Sequence, residues 1–125
     1  MIEFFDSEKR DGLASIYENH ITFNKSLLKY FKEAYRVRVG VDKEAHKVYV
    51  FTLNKDQALS GEISASSLLP ISVSNTYVRI CSRAIVEYVT EAMEKKIPKD
   101  SYLRCKALYD ERKKAIIINF EEEEK

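Results

Sequence analysis

Four basic side chains alternate with apolar ones along two stretches of this 125-residue chain. Arg36 and Arg38 interleave with Tyr35, Val37, Val39 and Val41. Arg104 and Lys106 interleave with Leu103, Cys105, Ala107 and Tyr109. Successive side chains of an extended strand point to opposite faces, so each stretch offers an apolar face and an open basic one. The chemistry of such a face is anion binding: an arginine fork donates two parallel hydrogen bonds to a phosphate, and a lysine adds a point charge. Arg79 and Arg83 are further cations near the second stretch. The same charges also serve solubility, since a charged open face discourages pairing between edges. Tyr17, Tyr30, Tyr77 and Tyr88 are positioned either to stack on bases or to cap a core with the hydroxyl in water.

Enzyme chemistry has less to work with. His20 and His46 have no metal-ligand spacing to each other or to a cysteine. Cys81 and Cys105 sit in apolar-rich segments and are expected reduced and buried, as small hydrophobes. No third group orients a cysteine–histidine pair, and three scattered glycines build no phosphate-cradling loop. The expectation is a protein that is not an enzyme, with no catalytic residue, metal or cofactor.

Bulk properties fit a small folded protein. Apolar residues make up 45% and charged residues 33%, too apolar a mixture for disorder. No apolar run approaches the roughly 18 residues of a membrane span. The first ten residues lack a basic flank followed by an apolar stretch, so no signal peptide is expected. A cytoplasmic setting follows, with no membrane contact. The net charge of +1 hides an uneven distribution. Residues 20–56 and 76–120 are each +4, while residues 1–19, 57–75 and 121–125 are −3, −1 and −3.

The elements that must hold the basic residues recur in one order. Ile21-Thr22-Phe23 alternates like a strand, and Asn24 then caps a helix to Ala34 with Leu27, Leu28 and Phe31 on one side. Tyr35–Asp42 returns to period two, 42–47 is a polar hairpin loop, and 48–53 is a strand apolar on both faces. Val78–Ile80 is again a strand. A helix follows that starts near Ser82 and is stopped by Pro98. Strands at 102–110 and 115–120 flank a turn at 111–114. Ser15–Phe31 matches Ser72–Tyr88 without a gap, as Tyr35–Asp42 matches Leu103–Asp110. The spacing therefore predicts an α+β fold, a tandem β-α-β-β repeat closed about a pseudo-twofold axis in one domain, 1–120. The copies are about 15–53 and 72–120, joined by a linker at 54–71. Short edge strands are expected at Ile2–Phe5 and Ile71–Val73, with Gly12 in the turn after the first. The acidic tail, 121–125, is expected to be solvated and frayed.

The order strand, short helix, strand, tight turn, strand over Ile21–Leu53 and Val78–Phe120 resembles the AbrB-like swapped-hairpin unit of bacterial transcription regulators. The tandem arrangement resembles the MraZ branch of that group. Asn24 and Cys81 stand where that family has proline. Ser15–Leu53 also resembles short proteins of Gram-positive bacteria and their mobile elements. The resemblance implies a swapped-hairpin barrel and a transcriptional regulator that binds double-stranded DNA; the alternating basic face adds the expectation that Arg36, Arg38, Arg104 and Lys106 contact the phosphates, with Arg79 and Arg83 secondary. The alternative is an interaction or structural accessory module that recruits a protein by strand addition at an edge.

Overall fold

The computed structural model describes residues 1–2 and 12–123. The fold is α+β and rich in strands. Eight strands form one wholly antiparallel sheet that curls into a half-barrel. They are β1 (Leu13–Ile16), β2 (Ile21–Asn24), β3 (Arg36–Asp42), β4 (Lys47–Leu53), β5 (Ser72–Val73), β6 (Tyr77–Ile80), β7 (Leu103–Asp110) and β8 (Ala115–Glu123). Their order across the sheet is β3-β4-β8-β7-β1-β2-β6-β5. A single antiparallel bridge joins Val37 of β3 to Leu69, just ahead of β5, so the two ends of the sheet approach each other. Two hydrogen bonds of 2.9 and 2.8 Å make that bridge. Among the described residues no helix is long and apolar enough to cross a membrane.

Alternation decides what is inside. Ala14, Ile16, Ile21, Phe23, Val37, Val48, Val50, Val78, Cys105, Ile116 and Ile118 are fully buried on the concave face. A 3₁₀ helix (Lys25–Phe31) and helix α2 (Arg83–Met93) fill that concavity with Leu27, Phe31, Val86, Val89 and Met93. Each large side chain of this kind contributes about 1.5–3 kcal/mol by leaving water. The apolar positions of both basic strands, Val37 on β3 and Leu103, Cys105 and Ala107 on β7, share this core.

Several local expectations are corrected. Asn24 makes no capping bond; its Oδ1 accepts from Leu13 N at 3.0 Å and from Ser26 Oγ at 3.0 Å. The helix behind it is 3₁₀ and ends at Phe31, not Ala34. Ser82 does cap α2, accepting from Ile85 N at 3.2 Å. That helix ends at Met93 rather than at Pro98, because Glu94 turns left-handed (φ 55°) and sends its N–H back to Thr90 and Glu91. Cys105 is buried as expected, but Cys81 is exposed. The linker is not structureless: α1 (Lys55–Leu59) opens it, with Asn54 and Gln57 forming a reciprocal capping box. Residues 121–123, expected as a frayed end, extend β8. Strand β5 confirms an edge strand near Ile71–Val73. The strand expected at Ile2–Phe5 lies, apart from Ile2, outside the described residues.

β1 has no counterpart among the strands read from the sequence. It bridges β2 and β7, and the carbonyl of Gly12 just before it accepts from Ala107 N at 2.9 Å. A β-carbon on Gly12 would overlap the Ala107 carbonyl oxygen, which is why the backbone approach needs glycine.

Two hairpin geometries each occur twice. In β1–β2, Ser15 faces Thr22, Ile16 faces Ile21, and Tyr17 N donates to His20 O at 2.9 Å. In β5–β6 the partners 57 positions later do the same: Ser72 faces Arg79, Val73 faces Val78, and Ser74 N donates to Tyr77 O at 2.9 Å. The β3–β4 and β7–β8 turns agree at a spacing of 68. Asp42 Oδ1 accepts from Ala45 N, Asp110 Oδ1 accepts from Lys113 N, and His46 and Lys114 both adopt left-handed backbone, φ 55° and 53°.

Candidate functional site

The convex face of β7-β1-β2-β6-β5 carries the best-organised polar surface. Its residues alternate with the buried ones just named, so Arg104, Ser15, Thr22, Arg79 and Ser72 all point outward. In-register pairing lines them up: Arg104 faces Ser15, Ser15 faces Thr22, Thr22 faces Arg79, and Arg79 faces Ser72. The row holds two guanidiniums, three hydroxyls and no carboxylate.

Aromatic rings support both arginines. Arg79 lies 5.0 Å over the Tyr77 ring. Arg104 lies 5.4 Å over Tyr102 and donates to its hydroxyl at 2.7 Å. Beside the row, Tyr17 stacks on His20 at 4.4 Å and leans on Tyr102 at 4.9 Å. Burial, helped by the positive charge of Arg79, holds the His20 imidazole below its ordinary pKa of 6.5. Glu18 and Asp100 stand at the rim of an open cleft of about 450 Å³ formed with Tyr17, His20 and Tyr102. Two buried polar atoms at the centre of the row, Thr22 Oγ1 and Arg79 Nε, make no hydrogen bond.

The six basic residues read from the sequence are distributed over three places. Arg79 and Arg104 share the row, and Lys106 follows two residues along β7. Arg36 and Arg38 lie on β3, with β4 and β8 between them and β7; on the other side β3 meets the polar face only through the Val37–Leu69 bridge. Arg36 folds onto its neighbour, donating to Tyr35 O at 2.8 Å with its guanidinium 4.2 Å over the Tyr35 ring. Arg83 sits on α2 in an exposed pair with Glu87 at 3.4 Å. Of the tyrosines, Tyr17 and Tyr77 join the polar face, Tyr30 stacks on Tyr109 at 4.1 Å elsewhere, and Tyr88 is exposed on α2.

Ser15, Thr22, Ser72 and Tyr102 are members of this surface that residue type alone does not single out. They become visible only once β1 is placed between β2 and β7. The ungapped match of Ser15 to Ser72 is the one signal in the sequence that touches them. Among the described residues no three His, Cys, Asp or Glu side chains gather as a metal site. No protein-family model, curated protein or solved structure matches the chain.

Proposed function

We propose that the chain is a non-enzymatic DNA-binding protein of the transcriptional-regulator kind, acting in the cytoplasm, and that it meets the duplex backbone with the row Arg104–Ser15–Thr22–Arg79–Ser72. The observation that carries the reading is the row itself: guanidiniums and hydroxyls across five neighbouring strands, uninterrupted by a carboxylate. Such donors dominate contacts to phosphate and sugar. Strands lie about 4.8 Å apart, so Arg104 and Arg79 stand roughly 14 Å apart along the sheet. That is close to the ~12 Å width of a major groove, letting each reach a phosphate on one wall.

The reading includes a tandem β-α-β-β duplication about a pseudo-twofold axis, as in the swapped-hairpin barrels that the chain resembles. Its support is the recurrence of the same pairings at spacings of 57 and 68. Thr22 faces Arg79 and Tyr49 faces Ile117, residues separated by those same spacings, so the axis would pass between the members of each pair. It would emerge in the middle of the polar row, where it can coincide with a dyad of the duplex. It would also relate Arg104 to Arg36 and Lys106 to Arg38, making the β3 arginines outer contacts.

Titration with random-sequence duplex DNA at several salt concentrations tests the proposal. Two to four phosphate contacts require log K to fall against log salt with a slope of roughly −2 to −4. Absence of binding at low salt overturns it. A protein-partner reading rests on a different observation: the other convex face presents Tyr49, Phe51 and a 59% exposed Leu108, and β5 leaves an open edge.

A further inference from the structure

A second cationic site lies at the opposite end of β7 from Arg104. The 3₁₀ helix, the junction of β4 with α1, and the β7–β8 turn converge there on a cleft of about 420 Å³. Ligand pockets commonly span ~300–1,000 Å³. Lys29 and Lys32 come from the helix and Lys114 from the turn, 82 residues beyond Lys32. Glu33 is the one carboxylate in the lining. Among the described residues none of the three ammoniums takes part in an ion pair, and Lys29 lies 5.3 Å over the Tyr30 ring. Three ammoniums against one carboxylate leave the lining net positive, and an anion in the cleft offsets that charge.

The rest of the lining consists of donors and flat walls. Asn54 and Gln57 spend their side-chain oxygens on the capping box, accepting from Gln57 N at 2.8 Å and Asn54 N at 2.9 Å. Each amide NH₂ is left as a donor. Tyr30 and Tyr109 stack in parallel, 7° apart, as a rigid side wall.

The other hairpin shows what a neutralised version looks like. His46 holds the place of Lys114, four residues after the opening aspartate and equally left-handed. It stands 3.4 Å from Glu121, the seventh residue of β8. The seventh residue of β4 is Leu53, which carries no charge to answer Lys114.

We propose that this cleft binds a small ligand carrying two or more phosphate groups, held by Lys29, Lys32 and Lys114. The probe is inorganic tripolyphosphate, titrated calorimetrically into the full chain at about 0.1 M salt, where only close charge pairs escape screening. Wild type is expected to bind with defined stoichiometry. The exposed double substitution Lys29→Ala/Lys114→Ala should weaken binding at least about 10-fold, because two charge-assisted hydrogen bonds go. Lys43→Ala, exposed in the other hairpin turn, should leave it unchanged, and the double variant should retain wild-type affinity for duplex DNA. Equal binding of tripolyphosphate by wild type and the double variant overturns the proposal, as does equal weakening by Lys43→Ala. Loss of duplex binding without loss of tripolyphosphate binding also overturns it.

Discussion

The half-barrel has two convex faces built on the same antiparallel framework, and they differ at their centres: one central row is polar and the other is apolar. Across β7-β1-β2-β6 the outward side chains are Arg104, Ser15, Thr22 and Arg79, flanked by Tyr17, His20 and Tyr102. Across β3-β4-β8-β7 they are Gly40, Tyr49, Ile117 and Leu108 in one row, with Arg38, Phe51, Ala115 and Asp110 in the next, so the charges stand at the ends and the apolar side chains in the middle. Ile117 points outward yet is only 9% exposed. The second face thus works partly as an outer layer of the core, covering strands that are apolar on both sides. The first is free of that duty. The difference teaches that a surface available for a partner arises where the sheet's concave side alone supplies enough burial to hold its strands.

A carboxylate placed on each face should show the contrast most strongly. Ile117→Asp leaves an unpaired charge in a nearly closed position and should cost about 3 kcal/mol or more in urea denaturation. Leu108→Asp, its exposed neighbour on β7, should fall within about 0.5 kcal/mol of wild type. Equal, small costs at both positions would break the claim that the apolar face is structural.

Thr22→Val probes the centre of the polar face. The hydroxyl has no partner and the shape is nearly kept, so stability should hold or rise by up to about 1 kcal/mol. Duplex affinity should stay within about 2-fold of wild type, because the hydroxyl is buried and the phosphates meet the guanidiniums and exposed hydroxyls beside it. A stability loss of about 1 kcal/mol or more would show that the hydroxyl has a partner in the folded chain.

The smallest effect belongs to His20. Its folded pKa lies below 6.5, so the unfolded chain takes up the proton first. Stability is complete above the unfolded pKa, falls as pH drops through 6.5, and levels off below the folded pKa. Denaturation of wild type and His20→Gln between pH 8 and pH 5 should show the extra fall in wild type alone. A nearby phosphate favours the imidazolium, so duplex binding should strengthen over the same pH interval in wild type and less in His20→Gln.

The strands that carry these faces differ in how visible they are in the sequence. β3, β4, β7 and β8 are long, alternate cleanly and form hairpins about aspartate-led turns, so period and turn chemistry locate them within one residue, except that β8 runs three residues past Phe120 to Glu123. β1 is four residues long, with no turn glycine or proline after it, and it exists because β2 and β7 flank it. With β1 unread, Arg104 and Arg79 could not be set in one row. α1 was legible in principle, since Asn54 and Gln57 have capping-box spacing. The lysine cleft depends on contact between Lys29 and Lys114 regions far apart in sequence, which no local pattern encodes. The end of α2 turned on a left-handed Glu94, a conformation that glutamate does not announce.

The central claim is that the polar convex face contacts duplex phosphates. Its most direct measurement is the salt dependence of random-duplex binding by wild type and by Arg79→Ala/Arg104→Ala, with circular dichroism confirming that both are folded. Each lost phosphate contact should reduce the slope of log K against log salt by about 1, so the double variant should be shallower by about 2. A folded double variant with the wild-type slope would contradict the account.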